Sequence, residues 1–513
     1  MNYRFVLNQL GLLLAVLGAA MLLIALLDLV HVASEKAAEV AAVEALFIAA
    51  AIGIVAGGLV WLRTKRPSSV LGRREALLLV AASWFVGAAL SGLPYFLWSH
   101  LDPAELARHP FRSPVNCYFE AMSGLTTTGA TVLKDIAAVP KSLLLWRAFT
   151  HWIGGLGIIV LFVAVFPTLG VGGKRLYRVE APGPTPEGVR PHIRETARVL
   201  WFIYVGLSLL QILLLWIAGA SWFDSICHTF ATLATGGFSP RNASVGELDS
   251  AWVDTIIIAF MILAGGNFGL YHQVITGKIR SVWKDPELRL YLSLLAGGSA
   301  VVVLSLVGHS ITTTTGVALP PSIESAIRYG VFTTVSIQTT TGFCTADFNQ
   351  WPFIAKGVLV LLMFVGGSAG STGGGIKVIR LWIAFKVMVA EIEKVFRPNV
   401  IRPIKLGNSP VDADLKLATL AYVLGMVVLV FAGAGAVMLV EPPSHDCSFT
   451  TAATASVATL CTIGPGLEQI GAVEHYGWFS SPSKLVLIIL MAMGRLEMFA
   501  VVVLFSPRFW KGT

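Results

Sequence analysis

Leu125-Thr126-Thr127-Thr128-Gly129-Ala130 is one of four segments that each read as a short helix, a threonine-rich turn and a glycine. The other three are Leu233-Ala234-Thr235-Gly236-Gly237-Phe238, Thr339-Thr340-Thr341-Gly342-Phe343 and Cys461-Thr462-Ile463-Gly464-Pro465. Matched at Gly129, Gly236, Gly342 and Gly464, they recur with a period of about 110 residues, and a fixed period is the signature of a repeated structural unit. The sequence therefore predicts one unit repeated four times.

Each of these segments lies between two apolar runs long enough to cross a bilayer, for which about 20 residues are needed. The runs cover residues 75–97, 142–166, 197–220, 252–275, 288–308, 352–388, 413–440 and 484–506, and two further runs precede them at 5–30 and 41–62. The unit is thus predicted to be a helix, a re-entrant pore loop and a second helix. Each second helix carries a glycine or glycine-arginine pair at matching depth: Gly154-Gly155, Gly265-Gly266, Gly366-Gly367 and Gly494-Arg495.

Composition supports a membrane protein, because 55% of the residues are hydrophobic, 13% are charged and the mean hydropathy is +0.75. Non-helical backbone at membrane depth is tolerated only where it is buried in protein or lines a cavity. We therefore expect an all-α integral membrane protein with four helix, pore-loop, helix repeats in pseudo-fourfold arrangement around one pore. The predicted units are two extra N-terminal helices in 1–68 and repeats in 69–172, 173–280, 281–398 and 399–513.

The excess of 37 Lys+Arg over 29 Asp+Glu is concentrated in short loops between the apolar runs. The clusters are Arg63 to Arg66 with Arg73-Arg74, Lys174 to Arg198, Lys278 to Arg280, and Lys394 to Lys405. Basic loops of membrane proteins face the cytoplasm, so this placement predicts cytoplasmic N- and C-termini and argues against a nucleic-acid partner.

The loops suit a dehydrated monovalent cation, which needs a ring of oxygen ligands such as backbone carbonyls from surrounding strands. Glycine allows the positive φ values that turn successive carbonyls to one side. Short half-helices are predicted at 115–125, 223–233, 323–337 and 446–459, and their C-terminal ends favour a cation. Four acidic residues are expected in their first turns, either making the vestibule negative or only capping the helices: Glu120, Asp224, Glu324 and Asp446.

Two features of the second helices call for an explanation. The stretch from Gly366 to Gly375 contains too many glycines for a stable helix, so it must break inside the membrane, or else it allows close helix packing. It lacks the GxxxxGK[ST] pattern of a phosphate-binding loop. Arg495 lies mid-span in the last helix, where an arginine needs a partner or a water-filled cavity. We consider an ion pair with Glu497, bonds to helix-end carbonyls, and a position in the pore.

At these loops and second helices the sequence resembles the Trk/Ktr/HKT superfamily of K⁺ transporters, most nearly its bacterial Trk membrane subunit. The resemblance covers essentially the whole chain and is most specific at Ser123 to Thr131, at His151-Trp152-Ile153-Gly154-Gly155-Leu156-Gly157 and at Cys461 to Gly466. It implies a homodimer in the bacterial inner membrane that takes up K⁺. It also implies a cytosolic regulatory ring with nucleotide-binding domains.

The resemblance further implies the residues that would hold K⁺ and those that would gate its passage. The implied ligands of K⁺ are Thr127, Thr128, Gly129, Ala234, Thr235, Gly236, Thr340, Thr341, Gly342, Thr462, Ile463 and Gly464. The implied gate lies directly below the filter and comprises Gly366, Gly367, Gly370, Gly373, Gly374, Gly375 and Arg495. In the second loop Ala234 stands where the first and third have Thr127 and Thr340, which would make the ligand set asymmetric. Family members that favour Na⁺ often have serine at the first filter glycine, so four glycines favour K⁺.

Two other classes of function fit the sequence less well. A secondary transporter of an organic solute would use broken helices at a midplane site, but such proteins more often show two inverted halves than four parallel units. A membrane enzyme lacks support in the sequence, because no cluster of His, Asp and Glu or nucleophile constellation lies at matching depth. The five cysteines show no metal-type spacing, and no chemistry is assigned to them.

Overall fold

The computed structural model describes residues 1–32, 37–64, 72–102, 109–164, 189–399, 404–406 and 409–511. The chain begins with a helical hairpin, α1 (Tyr3–Val32) and α2 (Ala37–Arg63). Gly11 and Gly18 of α1 lie directly against backbone atoms of α2 at Gly57 and Ala50, where a Cβ would overlap a carbonyl oxygen. Small residues allow such close approach of two helices in a membrane, so the hairpin is held by backbone-to-backbone packing.

Repeats 1 and 2 follow the predicted order of a long helix, a short pore helix and a second helix. Repeat 1 contains α3 (Arg73–Leu101), α4 (Pro114–Leu125) and α5 (Lys141–Ala164). Repeat 2 contains α6 (Val189–Ile217), α7 (Trp222–Leu233) and a second helix in two pieces, α8 (Ala251–Gly265) and α9 (Phe268–Ile275), followed by α10 (Ile279–Trp283).

Repeats 3 and 4 have the same order, and their second helices are also interrupted. Repeat 3 contains α11 (Pro286–Leu306), α12 (Ile323–Gln338), α13 (Phe353–Phe364) and α14 (Val378–Phe396). Repeat 4 contains α15 (Ala413–Val440), α16 (Phe449–Leu460), α17 (Ser481–Arg495) and α18 (Met498–Val502), and the chain ends with α19 (Pro507–Trp510). The four repeats around one centre are confirmed.

The described residues also contain two short antiparallel hairpins. In the first, β1 (Ile311–Thr312) pairs with β2 (Ala318–Leu319), with Ile311 opposite Leu319. In the second, β3 (Lys405–Leu406) pairs with β4 (Ser409–Pro410), with Lys405 opposite Pro410.

The sequence predicted a break only in the second helix of repeat 3, and this was wrong for repeats 2 and 4. The axes of α8 and α9 differ by 98° across Gly266. In repeat 4 the last long helix ends at Arg495, and Glu497 follows with a φ of +64°. Among the described residues, six helices are long and apolar enough to cross a membrane singly, or seven with α8 and α9 taken as one bent span. The ten predicted apolar runs are therefore not all single helices, because the second helices of repeats 2, 3 and 4 are broken.

Local sequence explains where the four pore helices begin. Ser221, Ser322 and Ser448 precede α7, α12 and α16, and each hydroxyl accepts a hydrogen bond of 3.0 Å from the backbone N–H three residues later. In repeat 1, α4 begins with Pro114, whose fixed φ suits the first helical position. The C-terminal halves of all four helices are buried, so the pore helices form the centre of the protein.

Candidate ion pathway

The four pore helices end in one backbone conformation. In each repeat two residues separated by one position have positive φ. The residue between them donates a hydrogen bond from its N–H to the carbonyl of the residue five positions earlier. The positive-φ pairs are Thr127 (53°) with Gly129 (80°), Thr235 (53°) with Gly237 (79°), Thr340 (58°) with Gly342 (79°), and Thr462 (53°) with Gly464 (99°). Positive φ is uncommon for residues other than glycine, so the same strained geometry at four threonines marks four equivalent positions.

This conformation corrects the alignment of repeat 2. Thr235 matches Thr127, and Gly237 matches Gly129, so Gly236 matches Thr128 instead of the first glycine. Ala234 is the residue that ends the pore helix, as Thr126 does in repeat 1. The asymmetry expected from Ala234 is therefore wrong, since a threonine occupies the equivalent position in every repeat. We use "filter" for the four segments 127–130, 235–238, 340–343 and 462–465.

The four filter segments close into a ring. A Cβ on Gly129 would overlap the carbonyl oxygen of Gly236, and one on Gly237 would overlap that of Thr341. The same relation links Gly342 to Ile463, while a Cβ on Gly464 would come within 2.8 Å of the oxygen of Thr128. Each repeat thus touches the next, and repeat 4 touches repeat 1. Only glycine fits at these contacts, because the neighbouring backbone occupies the place of a side chain.

The side chains of the four filter threonines with positive φ are fully buried but have different surroundings. Thr235 Oγ1 donates to the Ala234 carbonyl at 2.6 Å, and Thr340 Oγ1 accepts from the Gly374 N–H at 2.7 Å. In the part of the chain that the structure describes, Thr127 Oγ1 and Thr462 Oγ1 have no hydrogen-bond partner. At the other end of the filter, the Gly464 carbonyl accepts from the Tyr476 hydroxyl at 2.7 Å, so the ring is not exactly symmetric.

The glycine stretch of repeat 3, residues 366–375, lies against the filter and is called the intramembrane loop below. Its ends are held together, because Gly366 N–H donates to the Ile376 carbonyl at 3.0 Å. A Cβ on Gly374 would overlap Thr462 Oγ1, and Gly374 also donates to Thr340. The loop therefore contacts the threonine level of two filter segments, on the side where the pore helices end.

Further hydrogen bonds tie the loop to repeats 2 and 3. Thr372 Oγ1 donates to the Leu233 carbonyl at 2.9 Å and lies 3.2 Å from that of Ala264. Ser368 N–H donates to the Gly265 carbonyl at 2.8 Å, where α8 ends. Ala369 N–H donates to Glu287 Oε1 of α11 at 2.7 Å. The loop is thus ordered by its neighbours, which compensate for the weak helix-forming tendency of its glycines.

Arg495 joins the loop to a third repeat. Its Nη1 donates to the Thr372 carbonyl at 2.6 Å, and its Nη2 donates to the Gly154 carbonyl of α5 at 3.0 Å. The residue is 3% exposed. The alternative of an ion pair between Arg495 and Glu497 is wrong, because Glu497 Oε2 instead lies 2.8 Å from Arg380 Nη1. The expectation of helix-end carbonyl partners is also wrong, because Thr372 lies in the loop and Gly154 lies inside α5. The predicted mid-helix position of Arg495 is corrected to the end of α17.

The four acidic residues expected at the outer ends of the pore helices do not share one position. Asp224 and Glu324 lie in the first turns of α7 and α12, as predicted. Glu120 lies in the interior of α4, and Asp446 precedes α16. Glu120 is fully buried and pairs with Arg147 at 2.7 Å, so it does not supply free negative charge to a vestibule.

Sequence reasoning missed several buried polar residues around the filter. Arg147 and His151 lie on α5, where His151 contacts the last residue of the repeat 2 filter, Phe238, and Arg147 contacts the carbonyl of the residue that follows it. Glu287 and Lys377 contact the loop, with Lys377 Nζ donating to the Gly373 carbonyl. Arg147, His151 and Lys377 are charged or polar side chains inside apolar runs, and that was the signal available in the sequence, whereas Glu287 lies just before a run.

Comparison with known proteins agrees with this architecture. A model of the TrkH family, described as cation transport protein, matches residues 42–511. The chain is 36% identical to the Trk system potassium uptake protein TrkH of Salmonella typhimurium over 517 residues, with both chains fully covered. It is 32% identical to the potassium uptake protein TrkG of Escherichia coli, with 91% of each covered.

A solved structure shows the same fold over the full length. The crystal structure of the potassium transporter TrkH from Vibrio parahaemolyticus superposes with a TM-score of 0.86, at 32% sequence identity and with both chains fully covered. A family model that covers most of the chain, full-length relatives and a matching fold lead to one conclusion: this chain belongs to the TrkH family of cation transport proteins.

Proposed function

We propose that the chain takes up K⁺ across the bacterial cytoplasmic membrane through the ring of four filter segments. The observation that carries the proposal is the closed ring, in which four segments with the same alternating φ pattern meet. Alternation of positive and negative φ lets carbonyls of successive residues face one side, as coordination of a dehydrated cation requires. The relatives named as potassium uptake proteins support K⁺ as that cation.

The proposed ligands follow the structural alignment. Backbone carbonyls and threonine hydroxyls would come from Thr127, Thr128, Gly129, Thr235, Gly236, Gly237, Thr340, Thr341, Gly342, Thr462, Ile463 and Gly464. Ala234 leaves the set, because it ends α7. The unpartnered hydroxyls of Thr127 and Thr462 fit this assignment, since a buried hydroxyl without a partner is costly unless another oxygen-binding species satisfies it.

We propose that the intramembrane loop and Arg495 close this path below the filter. Gly374 touches two filter threonines, and Arg495 spans from the loop to α5. A fixed guanidinium next to a cation path opposes passage by charge repulsion. Opening would require the loop to release its bonds to Thr340, Leu233 and Gly265.

The orientation and partners complete the proposal. Exposed basic residues, Lys278, Arg280 and Lys284, lie on the face where the second helix of repeat 2 ends. Under the positive-inside rule that face is cytoplasmic. We assign this face to a cytosolic regulatory ring with nucleotide-binding domains, the partner that the resemblance to the Trk/Ktr/HKT superfamily implies. We further propose that the chain acts as a homodimer.

The test is cation flux into proteoliposomes that contain the purified chain. Uptake of K⁺ and ⁸⁶Rb⁺ is expected to exceed uptake of Na⁺ and Li⁺ at matched gradients. Empty liposomes control for leak. Equal entry of Na⁺ and K⁺ would remove the selectivity, and uptake of an organic solute without cation uptake would favour a secondary transporter.

A further inference from the structure

The junction between repeats 1 and 2 is held by polar side chains at positions that are apolar in the other repeats. His151 of α5 lies behind the repeat 2 filter, and its ring is 4.1 Å from the ring of Phe238. Its Nδ1 is 2.8 Å from the Gly124 carbonyl, and its Nε2 is 3.3 Å from the Phe238 nitrogen. A carbonyl can only accept and a backbone N–H can only donate. The imidazole is therefore neutral, with its proton on Nδ1.

Equivalent contacts identify the matching positions in the other repeats. The Tyr204 hydroxyl donates to the Trp152 carbonyl at 3.2 Å, and the Tyr291 hydroxyl donates to that of Ile262 at 3.1 Å. This aligns His151 with Met261. A Cβ on Gly154 or on Gly494 would overlap the last carbonyl of the pore helix in the same repeat, so these two glycines are equivalent. His151 and Met491 each lie three residues before them and are therefore equivalent as well.

Sequence spacing places Met363 at the same position in repeat 3, three residues before Gly366. All three methionines are fully buried, as is His151. One turn earlier on the second helix, repeat 1 has Arg147, whereas the other repeats have buried apolar residues: Ile257, Leu359 and Leu487.

Arg147 strengthens the same junction one turn away from His151. Its Nη1 donates to the Ser239 carbonyl at 3.0 Å, and its guanidinium lies 3.4 Å from the centre of the Phe238 ring. Glu120 balances the charge at 2.7 Å and also accepts from the Val132 N–H at 2.9 Å. Arg147 and His151 of repeat 1 thus bind the backbone of repeat 2 on both sides of Phe238.

The hydrogen bond to His151 determines the direction of one filter carbonyl. The Phe238 N–H and the Gly237 carbonyl belong to one planar trans peptide, in which they point in opposite directions. With the N–H held on His151, the Gly237 carbonyl points away from α5. Gly237 has a φ of +79°, a conformation that glycine leaves easily. A hydrogen bond from outside the segment is therefore needed to keep this peptide in its orientation.

We propose that His151 is a positioning residue for ion selectivity, which keeps the Gly237 carbonyl turned toward the permeating cation. The proposal rests on the proposed function, because it assumes that filter carbonyls bind K⁺. His151 acts through the Phe238 peptide and does not touch the ion. Its contribution is specific to repeat 2, since a methionine at the matching positions offers no comparable acceptor for a backbone N–H.

The test compares three variants of the full chain in proteoliposomes, by the ratio of ⁸⁶Rb⁺ to ²²Na⁺ uptake. His151→Met introduces the residue of the other repeats without stranding a charge, whereas replacing Arg147 would leave Glu120 unpaired in the interior. His151→Gln retains an acceptor that can reach the Phe238 N–H. Met261→Leu is the control at the matching position of repeat 2.

We expect His151→Met to lower the uptake ratio about fivefold to tenfold, the factor that corresponds to one hydrogen bond of usual strength. His151→Gln should restore the ratio to within about twofold of wild type, and Met261→Leu should leave it unchanged. An unchanged ratio in His151→Met, with a selective wild type, would overturn this inference alone. Equal losses of ratio and of melting temperature in the Met and Gln variants would overturn it in favour of packing. A nonselective wild type would instead overturn the proposed function.

Discussion

The Gly374 N–H donates a hydrogen bond of 2.7 Å to the Thr340 hydroxyl, which fastens the intramembrane loop to the filter. Thr340 has a φ of +58°, and its three counterparts share that conformation. The loop is therefore bonded to a threonine at the end of the filter where a cation would enter or leave. Any movement of the loop away from the filter must break this bond.

Deleting Gly370 to Gly374 should raise the basal cation flux, because the deletion removes the bond to Thr340 and the contacts of Thr372. The measurement is ⁸⁶Rb⁺ uptake into proteoliposomes, with size exclusion to confirm that the variant still folds and dimerises. Flux at or below the wild-type level in a folded variant would indicate that the loop is a packing surface.

A single substitution tests the attachment of the loop with less disturbance than the deletion. Thr372→Val keeps the size of the side chain but removes the hydroxyl bonds to Leu233 and Ala264, so we expect a smaller rise in flux than in the deletion. The control is Thr255→Val, which removes a hydroxyl bond within one helix at an exposed position. Equal effects of the two substitutions would argue against a special role for Thr372.

Gly129→Ser should weaken the preference for K⁺ over Na⁺. The glycine has a φ of +80°, and a Cβ there would overlap the Gly236 carbonyl oxygen of the next repeat. The serine must displace that carbonyl, which belongs to the proposed set of ligands. The control is Gly297→Ser, since that glycine has open space around it. The uptake ratio of ⁸⁶Rb⁺ to ²²Na⁺ measures the effect, and an unchanged ratio would remove Gly129 from the filter.

The sequence predicted the four repeats because each repeat carries its own local signal, an apolar run followed by a glycine after threonines. It did not predict the register of repeat 2, since Thr235-Gly236-Gly237 offers two glycines and only the φ values identify Gly237 as the partner of Gly129. A local pattern contains no information on which of two adjacent glycines meets the neighbouring repeat.

Contacts between residues distant in the sequence could not be predicted from it either. Glu120 was expected either to make the vestibule negative or to cap its helix, but its partner Arg147 lies 27 residues away and pairs with it in the interior. The break after Arg495 was hidden in an apolar run, and the pairing of Glu497 with Arg380 requires two repeats to meet. Such contacts are set by packing between repeats, which spacing along the chain does not show.

Glu497→Gln should lower the thermal stability of the protein. Glu497 pairs with Arg380, whose guanidinium also lies 3.9 Å from the centre of the Tyr422 ring, and the two charged side chains are 13% and 3% exposed. Removing one charge of a buried pair costs about 3–5 kcal/mol. The melting temperature in detergent, followed by tryptophan fluorescence, should fall clearly.

The matched control is Glu391→Gln, which removes one charge from the exposed pair with Lys394, of which the side chains are 60% and 56% exposed. Exposed pairs contribute little to stability because water and salt screen them. The melting temperature of this variant should stay close to that of wild type. Similar shifts of the melting temperature in both variants would show that the Arg380–Glu497 pair stabilises the protein no more than an exposed pair does.

Arg495→Ala distinguishes a barrier to cations from a structural tie. If Arg495 acts mainly by holding the Thr372 and Gly154 carbonyls, its removal should lower the melting temperature, because these buried carbonyls lose a hydrogen-bond donor. If its charge faces a permeating ion, the repulsion is about 2–4 kcal/mol at roughly 4–8 Å with an effective dielectric of about 20. Such a barrier slows passage by about tenfold or more.

We expect the second outcome for Arg495→Ala: higher ⁸⁶Rb⁺ uptake with a melting temperature near that of wild type. Glu497 has its own partner in Arg380, so the substitution does not strand that carboxylate. Arg495→Lys is the matched control, because it keeps the positive charge but lacks the forked guanidinium that reaches two carbonyls. A charge barrier predicts flux near wild type in the lysine variant and increased flux in the alanine variant. A clearly lower melting temperature in Arg495→Ala, with uptake raised equally in the lysine variant, would instead assign the residue to holding the loop against α5.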